Sequence, residues 1–309
     1  MTGIRVALMG EPMLELSHPA GQGAKLSYGG DVLNTSIYLA RLGVLPNLVT
    51  ALGTDPYSDG LLKEWARECV QTSKVLRDPE RLPGLYAIQT DHQGERSFYY
   101  WRSNSAARNF FNLRGCAESV DFMNKADWLY ISGITLSVFT DEERAQLVEI
   151  AKNVKARGGQ VAFDPNYRPS GWASPEDARD AIEKFAAHAT LMLATIDDEN
   201  LLYGQTAGEK HAARWHDLGI DAVVLKCGPQ GAIIYQKGQA AHRVPVSVCD
   251  QPVDTTGAGD SFNAAFIAMK CRGQSMLKAA EAGNLLASHV IRHPGAIMPL
   301  SEMPDIFSG

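Results

Sequence analysis

Short apolar runs alternate with longer amphipathic stretches along most of this chain, and the alternation predicts its secondary structure. Apolar runs bounded by turn residues are typical of buried strands, and apolar residues three and four apart are typical of helices. Strands are predicted at residues 4–9, 47–52, 127–132, 160–164, 190–194 and 221–226, and helices at 31–42, 57–69, 141–157, 176–187, 208–218 and 276–291. Asp31 is predicted to cap the first helix. Strands separated by helices of this length predict a parallel sheet that helices cover on both faces.

One region breaks this alternation. Residues 84–102 alternate polar and apolar side chains around the turn-forming residues 91–94, which predicts a β-hairpin. Together with residues 11–17, the hairpin is predicted to form a small sheet that projects from the main body. In an α/β protein such a projection often covers the carboxyl ends of the strands, where open sheets bind ligands. We therefore expect the small sheet to act as a lid.

Composition and charge narrow the class of protein. The 309 residues are 45% hydrophobic and 21% charged, as in ordinary globular proteins, and they contain no repeat or linker, so one compact domain is expected. The net charge of −6 argues against a nucleic-acid-binding surface. No apolar run reaches the ~18 residues of a membrane span, no signal peptide is recognisable, and the five cysteines form no C-x-x-C pair. These features predict a cytoplasmic protein without nucleic-acid or membrane partners.

Several common catalytic and metal-binding motifs are missing from the sequence. It has no P-loop motif, no complete dinucleotide-binding glycine fingerprint, no G-x-S-x-G and no H-E-x-x-H. The eight histidines show no metal-ligand spacing. His211 and His216 are five residues apart and are expected at the surface.

The stretch VDTTGAGDSFNAAFIAMK, residues 253–270, places two glycines and a carboxylate in front of an amphipathic helix. Gly257 and Gly259 would let successive backbone N–H groups converge on an anion, and the helix dipole adds about half a positive charge there. Asp260 could cap the helix, which is a common role of Asp, or act as a general base. The paired glycines favour the base, because phosphoryl transfer needs both fixed donors and a proton acceptor beside the attacking hydroxyl. The predicted anion hole is the backbone of Gly257, Ala258, Gly259 and Asp260.

DTTGAGDSF, residues 254–262, resembles the C-terminal motif of the PfkB, or ribokinase-like, family of carbohydrate kinases. GGDVLNTSIYLARLG, residues 29–43, resembles the other motif of that family, and the order of elements matches along essentially the whole chain. The resemblance implies a ribokinase-like three-layer α/β/α sandwich with a mostly parallel sheet. It implies a single domain, residues 1–309, with lid strands at about 11–28 and 84–103. It also implies a kinase that uses ATP and Mg²⁺ to phosphorylate a sugar-like alcohol.

Within the family, RLPGLYAIQTDHQGERSFYYWRSNSAA and FDPNYRPSGW resemble the branch that phosphorylates 2-keto-3-deoxygluconate. The substrate-binding residues that this resemblance implies are Gly30, Asp31, Asn34, Tyr86, Tyr100, Arg102, Arg168 and Asp260. Arginine binds a carboxylate through two hydrogen bonds, so the arginines favour a sugar acid over a neutral sugar. The structural alternatives are cross-strand packing for the two tyrosines, a solvated surface charge for Arg102 and a simple turn for Gly30.

The resemblance is less specific on the nucleotide side. The nucleotide-binding residues that it implies are Asn166, Arg168, Lys226, Gly228, Gly231, Gly257, Gly259 and Asn284. The segment KCGPQG, residues 226–231, is equally compatible with a β-turn between strands, and Asn284 with a polar helix position. Many family members carry Asn-x-x-Glu after a central strand, in association with magnesium, where this chain has TIDD, residues 195–198. Asp198 is the candidate metal residue, acting through water, and an exposed acidic run is the alternative.

The predicted activity is transfer of the ATP γ-phosphoryl group to 2-keto-3-deoxy-D-gluconate, which gives the 6-phosphate. Two alternatives stay open: a kinase of this family for a ketohexose, ribose, a nucleoside or another deoxy-keto acid, and a non-catalytic sugar-acid sensor. The sequence also leaves open activation by a monovalent cation such as K⁺. It leaves open a homo-oligomer as well, since the lid has exposed edges that a partner subunit could cover.

Overall fold

The computed structural model describes residues 3–18, 23–90, 96–246 and 252–307, and it contains two sheets and ten α-helices within those ranges. The strands are β1 Val6–Met9, β2 Met13–His18, β3 Lys25–Gly29, β4 Pro46–Gly53, β5 Val75–Asp78, β6 Gly84–Thr90, β7 Arg96–Trp101, β8 Trp128–Ser132, β9 Gln160–Asp164, β10 Leu191–Thr195, β11 Ala222–Lys226, β12 Ala232–Gln236 and β13 His242–Val244. The helices are α1 Asp31–Arg41, α2 Pro56–Arg67, α3 Cys116–Asn124, α4 Gly133–Val138, α5 Asp141–Ala156, α6 Pro175–Ala186, α7 Ile196–Tyr203, α8 Gly208–Asp217, α9 Ala258–Cys271 and α10 Met276–Val290.

The large sheet has nine strands in the order β13-β12-β11-β10-β9-β8-β1-β4-β5. Neighbouring strands from β11 to β5 are parallel, and only β12 and β13 at one end pair antiparallel. Every strand and helix predicted from the alternation is present, with ends displaced by two residues or fewer. Parallel pairing brings the carboxyl ends of the central strands to one edge, where α/β sheets bind ligands.

Alternate residues of the central strands pack into two separate hydrophobic layers. Leu8 of β1 packs in the layer that contains Ile37 and Phe266, from helices α1 and α9. Met9, the next residue, packs in the other layer, which contains Phe110 and the buried residues of helices α5, α6 and α8. The central strands are therefore buried on both faces, and the fold is the expected three-layer α/β/α sandwich.

The second, smaller sheet has four strands in the order β3-β2-β6-β7, and we call it the small sheet. Its presence confirms the sheet predicted from residues 11–17 and 84–102. The predicted turn at residues 91–94 lies outside the described residues. Strands β6 and β7 are antiparallel, with Tyr86 opposite Tyr100, so both tyrosines project from the same face.

The predicted cap of α1 is wrong. Gly30 occupies the capping position with φ of 135°, and no side chain accepts a capping hydrogen bond. Asp31 is the first helical residue, and its carboxylate instead accepts a hydrogen bond from Asn166 Nδ2 at 3.1 Å. In the part of the chain that the structure describes, no helix is both long enough and apolar enough to cross a bilayer.

The expectation that His211 lies at the surface is also wrong. Its side chain is fully buried between α7 and α8, with Nδ1 3.5 Å from Glu199 Oε2. The same Glu199 oxygen accepts a hydrogen bond from Trp215 Nε1 at 3.0 Å. Glu199 Oε1 has no hydrogen-bond partner among the described residues. Because the carboxyl group is buried, the pKa of Glu199 is raised to about 8.

We predict that Glu199→Gln stabilises the protein relative to the wild type by an amount that increases with pH. A raised carboxyl pKa means that the folded protein holds a proton that the unfolded chain releases, so the free energy of unfolding falls between about pH 4.5 and about pH 8. Gln cannot ionise and can still accept the Trp215 hydrogen bond. Thermal melts from pH 5 to pH 9 should show the difference in melting temperature, variant minus wild type, increasing with pH. The exposed Glu142→Gln is the control, and curves that stay parallel for Glu199→Gln would contradict the assignment.

Candidate active site

The first turn of α9 faces the site and is shaped by two glycines with different roles. Gly257 is the capping residue, with φ of 76°, and a Cβ there would lie 2.6 Å from the carbonyl oxygen of Ala296. The fold therefore requires glycine at this position. Gly259 has ordinary helical geometry, and a Cβ there would meet only Lys226 Nζ, at 3.5 Å. Glycine at 259 leaves the backbone open to close approach by a ligand.

Asp260 lies in the first turn of α9 but does not cap it, so the capping interpretation is wrong. Its carboxylate accepts a hydrogen bond from Asn34 Nδ2 of α1 at 2.8 Å. The hydroxyl of Thr35 donates to the backbone carbonyl of Asp260 at 3.3 Å. Withdrawal from solvent, together with the nearby charge of Asp31, raises the pKa of Asp260 above its ordinary value. A carboxylate with a raised pKa accepts a proton more readily near neutral pH.

Asp31 lies beside Asp260 and is linked to the end of β9. Asn166, which adopts a left-handed conformation with φ of 35°, donates from Nδ2 to Asp31 and from its backbone N–H to Asp164 at 3.1 Å. Burial raises the pKa of Asp31 as well. The predicted substrate residues Gly30, Asp31 and Asn34 thus share one edge of the site with Asp260 and with the predicted nucleotide residue Asn166.

Lys226, at the end of β11, is the centre of a buried polar group that we call the Lys226 cluster: Lys226, Asp164, Asn263 and Tyr130. Lys226 Nζ donates to Asp164 Oδ2 at 2.8 Å and to Asn263 Oδ1 at 3.1 Å. Asn263 Nδ2 donates to Asp164 Oδ2 at 2.6 Å and contacts Tyr130 Oη at 3.0 Å. Lys226 was predicted to contact nucleotide, and these bonds hold its ammonium group beneath the first turn of α9.

The small sheet turns Tyr86 and Tyr100 toward the same side. Their ring centroids are 6.0 Å apart, so the cross-strand packing proposed as an alternative does occur. Tyr86 Oη donates to Glu15 on β2, and Glu15 also accepts from Ser27 Oγ at 3.0 Å. A Cβ at Gly29 would collide with the Tyr86 hydroxyl. The glycine therefore gives the tyrosine room, and Glu15 fixes its orientation.

Arg102 is not a solvated surface charge, because its side chain is only 17% exposed. Its Nε donates to Glu11 Oε2 at 2.7 Å, and Nη2 contacts the same carboxylate. Glu11 is buried at the junction between β1 and β2 and also accepts from the Ser105 hydroxyl. One edge of the guanidinium is therefore held in place by the protein.

Arg168 and Asp198 form an ion pair at the ends of β9 and β10. Arg168 Nη1 lies 2.8 Å from Asp198 Oδ1, and the same nitrogen donates to the carbonyl oxygen of Tyr167 at 2.7 Å. The Asp198 side chain is 15% exposed, so it does not belong to an exposed acidic run. Its burial raises the pKa of its carboxyl group. The described residues contain no group of three or more His, Cys, Asp or Glu side chains arranged to hold a metal ion.

The remaining nucleotide candidates lie in turns and on α10. Cys227 N–H donates to the carbonyl of Gly231 at 2.7 Å, which closes the turn that the sequence allowed. Gly228 and Gly231 both have positive φ, and a Cβ at Gly231 would collide with the carbonyl of Val244. Asn284 is buried, and its Nδ2 donates to Val244 O at 2.9 Å. Contact of these three residues with nucleotide stays a prediction.

Sequence reasoning missed four residues that support the site, Glu11, Glu15, Asp164 and Asn263. Asp164 carried a usable signal, since it ends a predicted strand at the edge where ligands bind. Asn263 was hidden among the apolar residues of the α9 stripe. Glu11 and Glu15 lie within the predicted small-sheet segment, where acidic residues are ordinarily taken as solvent-facing.

Residues 11–303 match the model of the pfkB family carbohydrate kinases. The chain is 40% identical to the 2-dehydro-3-deoxygluconokinase of Escherichia coli strain K12, over 97% of this chain and 99% of that protein. It is 39% identical to the 2-dehydro-3-deoxygluconokinase of Dickeya dadantii strain 3937, over 98% and 100%. The crystal structure of a putative Ribokinase II in complex with ATP and Mg⁺² from E. coli matches with a TM-score of 0.82 at 22% identity, over 98% of this chain and 96% of that one. The last similarity shows that the fold is ribokinase-like.

We predict that alanine at the two glycines of α9 has opposite consequences. Gly257→Ala should lower the free energy of unfolding by about 1 kcal/mol or more, because alanine is strained at positive φ and would also collide with Ala296. Gly259→Ala should leave stability nearly unchanged but weaken binding of inorganic tripolyphosphate, since the added methyl group would cover the open backbone. Thermal melts and titration calorimetry test both variants. Equal effects of the two on stability would show that Gly259 is a packing glycine.

Proposed function

This chain belongs to the pfkB family of carbohydrate kinases, and we propose that it transfers the γ-phosphoryl group of ATP to 2-dehydro-3-deoxy-D-gluconate, or 2-keto-3-deoxygluconate. The product is the 6-phosphate, and the enzyme is a phosphotransferase with an alcohol group as acceptor. The observation that carries the proposal is the position of Asp260 in the first turn of α9, beside Gly257 and Gly259, where Asn34 donates a hydrogen bond to its carboxylate. Identity of about 40% to kinases of this name over nearly the whole chain supports the choice of substrate.

Asp260 acts as the proton acceptor. Its carboxylate receives the proton of the terminal hydroxyl group as the bond between that oxygen and phosphorus forms. The hydrogen bond from Asn34 holds one oxygen of the carboxylate and leaves the other for the substrate. The raised pKa of Asp260 lies closer to neutral pH than that of an ordinary aspartate. A general base is most effective when its pKa is near the working pH, because it is then both charged and a good proton acceptor.

The backbone N–H groups at residues 257–260 stabilise negative charge on the transferred group. They lie at the start of a fourteen-residue helix, where the helix dipole is positive, and the Ala258 N–H also donates to the carbonyl oxygen of Thr255 at 3.3 Å. Donors that are already fixed stabilise developing charge without reorganising during the reaction. In this proposal the small sheet acts as a lid that excludes water, which would otherwise compete with the sugar as phosphoryl acceptor.

Arg102 and Arg168 bind the carboxylate of the sugar acid. Glu11 engages Nε and Nη2 of Arg102, so Nη1 is the nitrogen left to donate hydrogen bonds to a substrate carboxylate. Arg168 has a half-exposed side chain at the end of β9, close to Asn166 along the chain. Tyr86 and Tyr100 supply an aromatic wall on the small sheet.

ATP and Mg²⁺ fit the donor groups on this edge. Mg²⁺ keeps several waters and takes few protein carboxylates, and Asp198 would supply one carboxylate from the first turn of α7, which follows β10. When bound, the ion neutralises phosphate charge. Asp198 is already engaged by Arg168, so its role toward the ion is through water, and Arg168 orients it.

We predict that Asp260→Asn abolishes turnover while it largely spares binding of the sugar acid. The amide keeps the shape of the side chain and can still contact Asn34, but it cannot accept the proton at neutral pH. The expected loss in kcat is at least about 100-fold, the typical contribution of a positioned base. ADP release in the presence of ATP and the sugar acid measures turnover, and calorimetry measures binding. Near-normal turnover would refute the assigned base.

We predict that Arg102 discriminates acid from neutral substrates. Arg102→Ala should raise the KM for 2-keto-3-deoxygluconate by about 10- to 100-fold, since each charge-assisted bond contributes roughly 1.5–3 kcal/mol. The KM for a neutral ketose such as fructose should change little. Arg102→Lys is the matched control, because it keeps a charge to pair with Glu11 but loses the planar fork. Equal changes for acid and neutral sugars would show that Arg102 does not bind the carboxylate.

A further inference from the structure

Apart from the predicted contact of Lys226 with nucleotide, the Lys226 cluster has no assigned part in the proposed reaction, although it lies under the proposed anion hole. Asp164, Lys226 and Asn263 are 3%, 7% and 0% exposed. A lysine–aspartate pair this deeply buried is costly to desolvate, and it is retained in proteins only when its hydrogen bonds are well satisfied or its charge has a use. Here Lys226 donates to two partners, and both oxygen and nitrogen of the Asn263 amide are engaged.

Asn263 connects the ion pair to the helix that carries the site. It lies one turn beyond Gly259 on α9, and its side chain points down to the ends of β9 and β11. Lys226 Nζ also lies 3.5 Å from the place that a Gly259 Cβ would occupy. The positive end of the ion pair is therefore next to the backbone that would receive phosphate, and the pair ties the helix start to two strands.

Charged groups from several elements surround Asp260. Asp31 on α1 and Asp164 on β9 raise the pKa of Asp260, after the larger effect of burial, and Lys226 on β11 lowers it. Three tyrosine hydroxyl groups also lie within electrostatic reach of this carboxylate, those of Tyr38, Tyr86 and Tyr130. Lys226 and its ion-pair partner Asp164 therefore act on the pKa of Asp260 with opposite signs.

We propose that the Lys226 cluster is a positioning element of phosphoryl transfer: it fixes the first turn of α9 through Asn263 and sets the charge around Asp260. This inference rests on the proposed function, because it assigns the cluster to the same reaction. Lys226, Asp164 and Asn263 act through Asp260 and the α9 backbone and are not themselves the base.

The test uses two substitutions that break the same ion pair but remove opposite charges. Lys226→Met should raise the pKa of Asp260 and move the acid limb of the kcat profile to higher pH. Asp164→Asn should lower that pKa and move the limb to lower pH, each by on the order of one pH unit. A merely structural pair would move both variants in the same direction or leave both limbs in place, and either result would overturn the proposal.

The pKa of Asp260 is also measured without turnover. Carbon-13 NMR of protein labelled at the aspartate carboxyl groups reports it, with the Asp260 signal assigned by its loss in Asp260→Asn. This readout separates the two hypotheses. A wild-type protein that fails to phosphorylate the sugar acid contradicts the proposed function, whereas opposite NMR shifts in the two variants still support the charge assignment.

Asn263→Ala tests positioning separately and keeps both charges of the pair. Its kcat should fall about 10-fold or more, since small displacements of reacting groups are costly. The acid limb and the KM for the sugar acid should stay as in the wild type. An unchanged kcat, in protein shown by thermal melting to be folded, would overturn the positioning role even if the charge variants had lost their fold.

Discussion

The start of α9 is the constraint on which the rest of the site depends, because its backbone must stay open while the helix itself is fixed. Gly257 caps the helix in a left-handed conformation, and the hydroxyl group of Thr35 on α1 donates a hydrogen bond to the backbone carbonyl of Asp260. Asn263 ties the next turn to Asp164 and Lys226. The turn is therefore ordered by contacts with the large sheet and α1. Such prior ordering is what lets backbone donors stabilise charge efficiently.

Local patterns were enough to predict six strands of the large sheet, because periodicity and turn residues act over a few positions, but β5, β12 and β13 were not predicted. The strand predicted at 160–164 is β9, Gln160–Asp164, and the helix predicted at 141–157 is α5, Asp141–Ala156. The hairpin that pairs Tyr86 with Tyr100 was predictable for the same reason, since alternation fixes which residues share a face. The special role of Gly257 and Gly259 could be recognised from the sequence. Two glycines at the start of a helix are explained by an unusual backbone conformation or by close approach of a ligand to the backbone.

The partners of buried polar groups could not be predicted in this way. Glu11 and Arg102 are 91 residues apart, and Lys226 and Asp164 are 62 apart, so no local spacing links them. Without partners, Arg102 is most simply placed at the surface, as is His211, and both placements fail. Asp260 is most simply a cap, yet its carboxylate turns to Asn34, 226 residues away. Which charged side chains are buried depends on partners that the fold brings together from distant parts of the chain, so it cannot be predicted from local sequence.

The charge of the assembled site explains why Asp260 is an effective acceptor. Asp164 pairs with Lys226, Asp31 and Asp260 lie close by, and the pKa values of Asp31 and Asp260 are raised. Crowded carboxyl groups in a poorly solvated place hold protons more tightly, and a neighbouring cation opposes this effect. Lys226 supplies that opposing charge, so the pKa of Asp260 is raised less than burial and its acidic neighbours alone would raise it. The same crowding that raises the pKa of Asp260 makes its carboxylate a stronger acceptor for the proton of the substrate hydroxyl group.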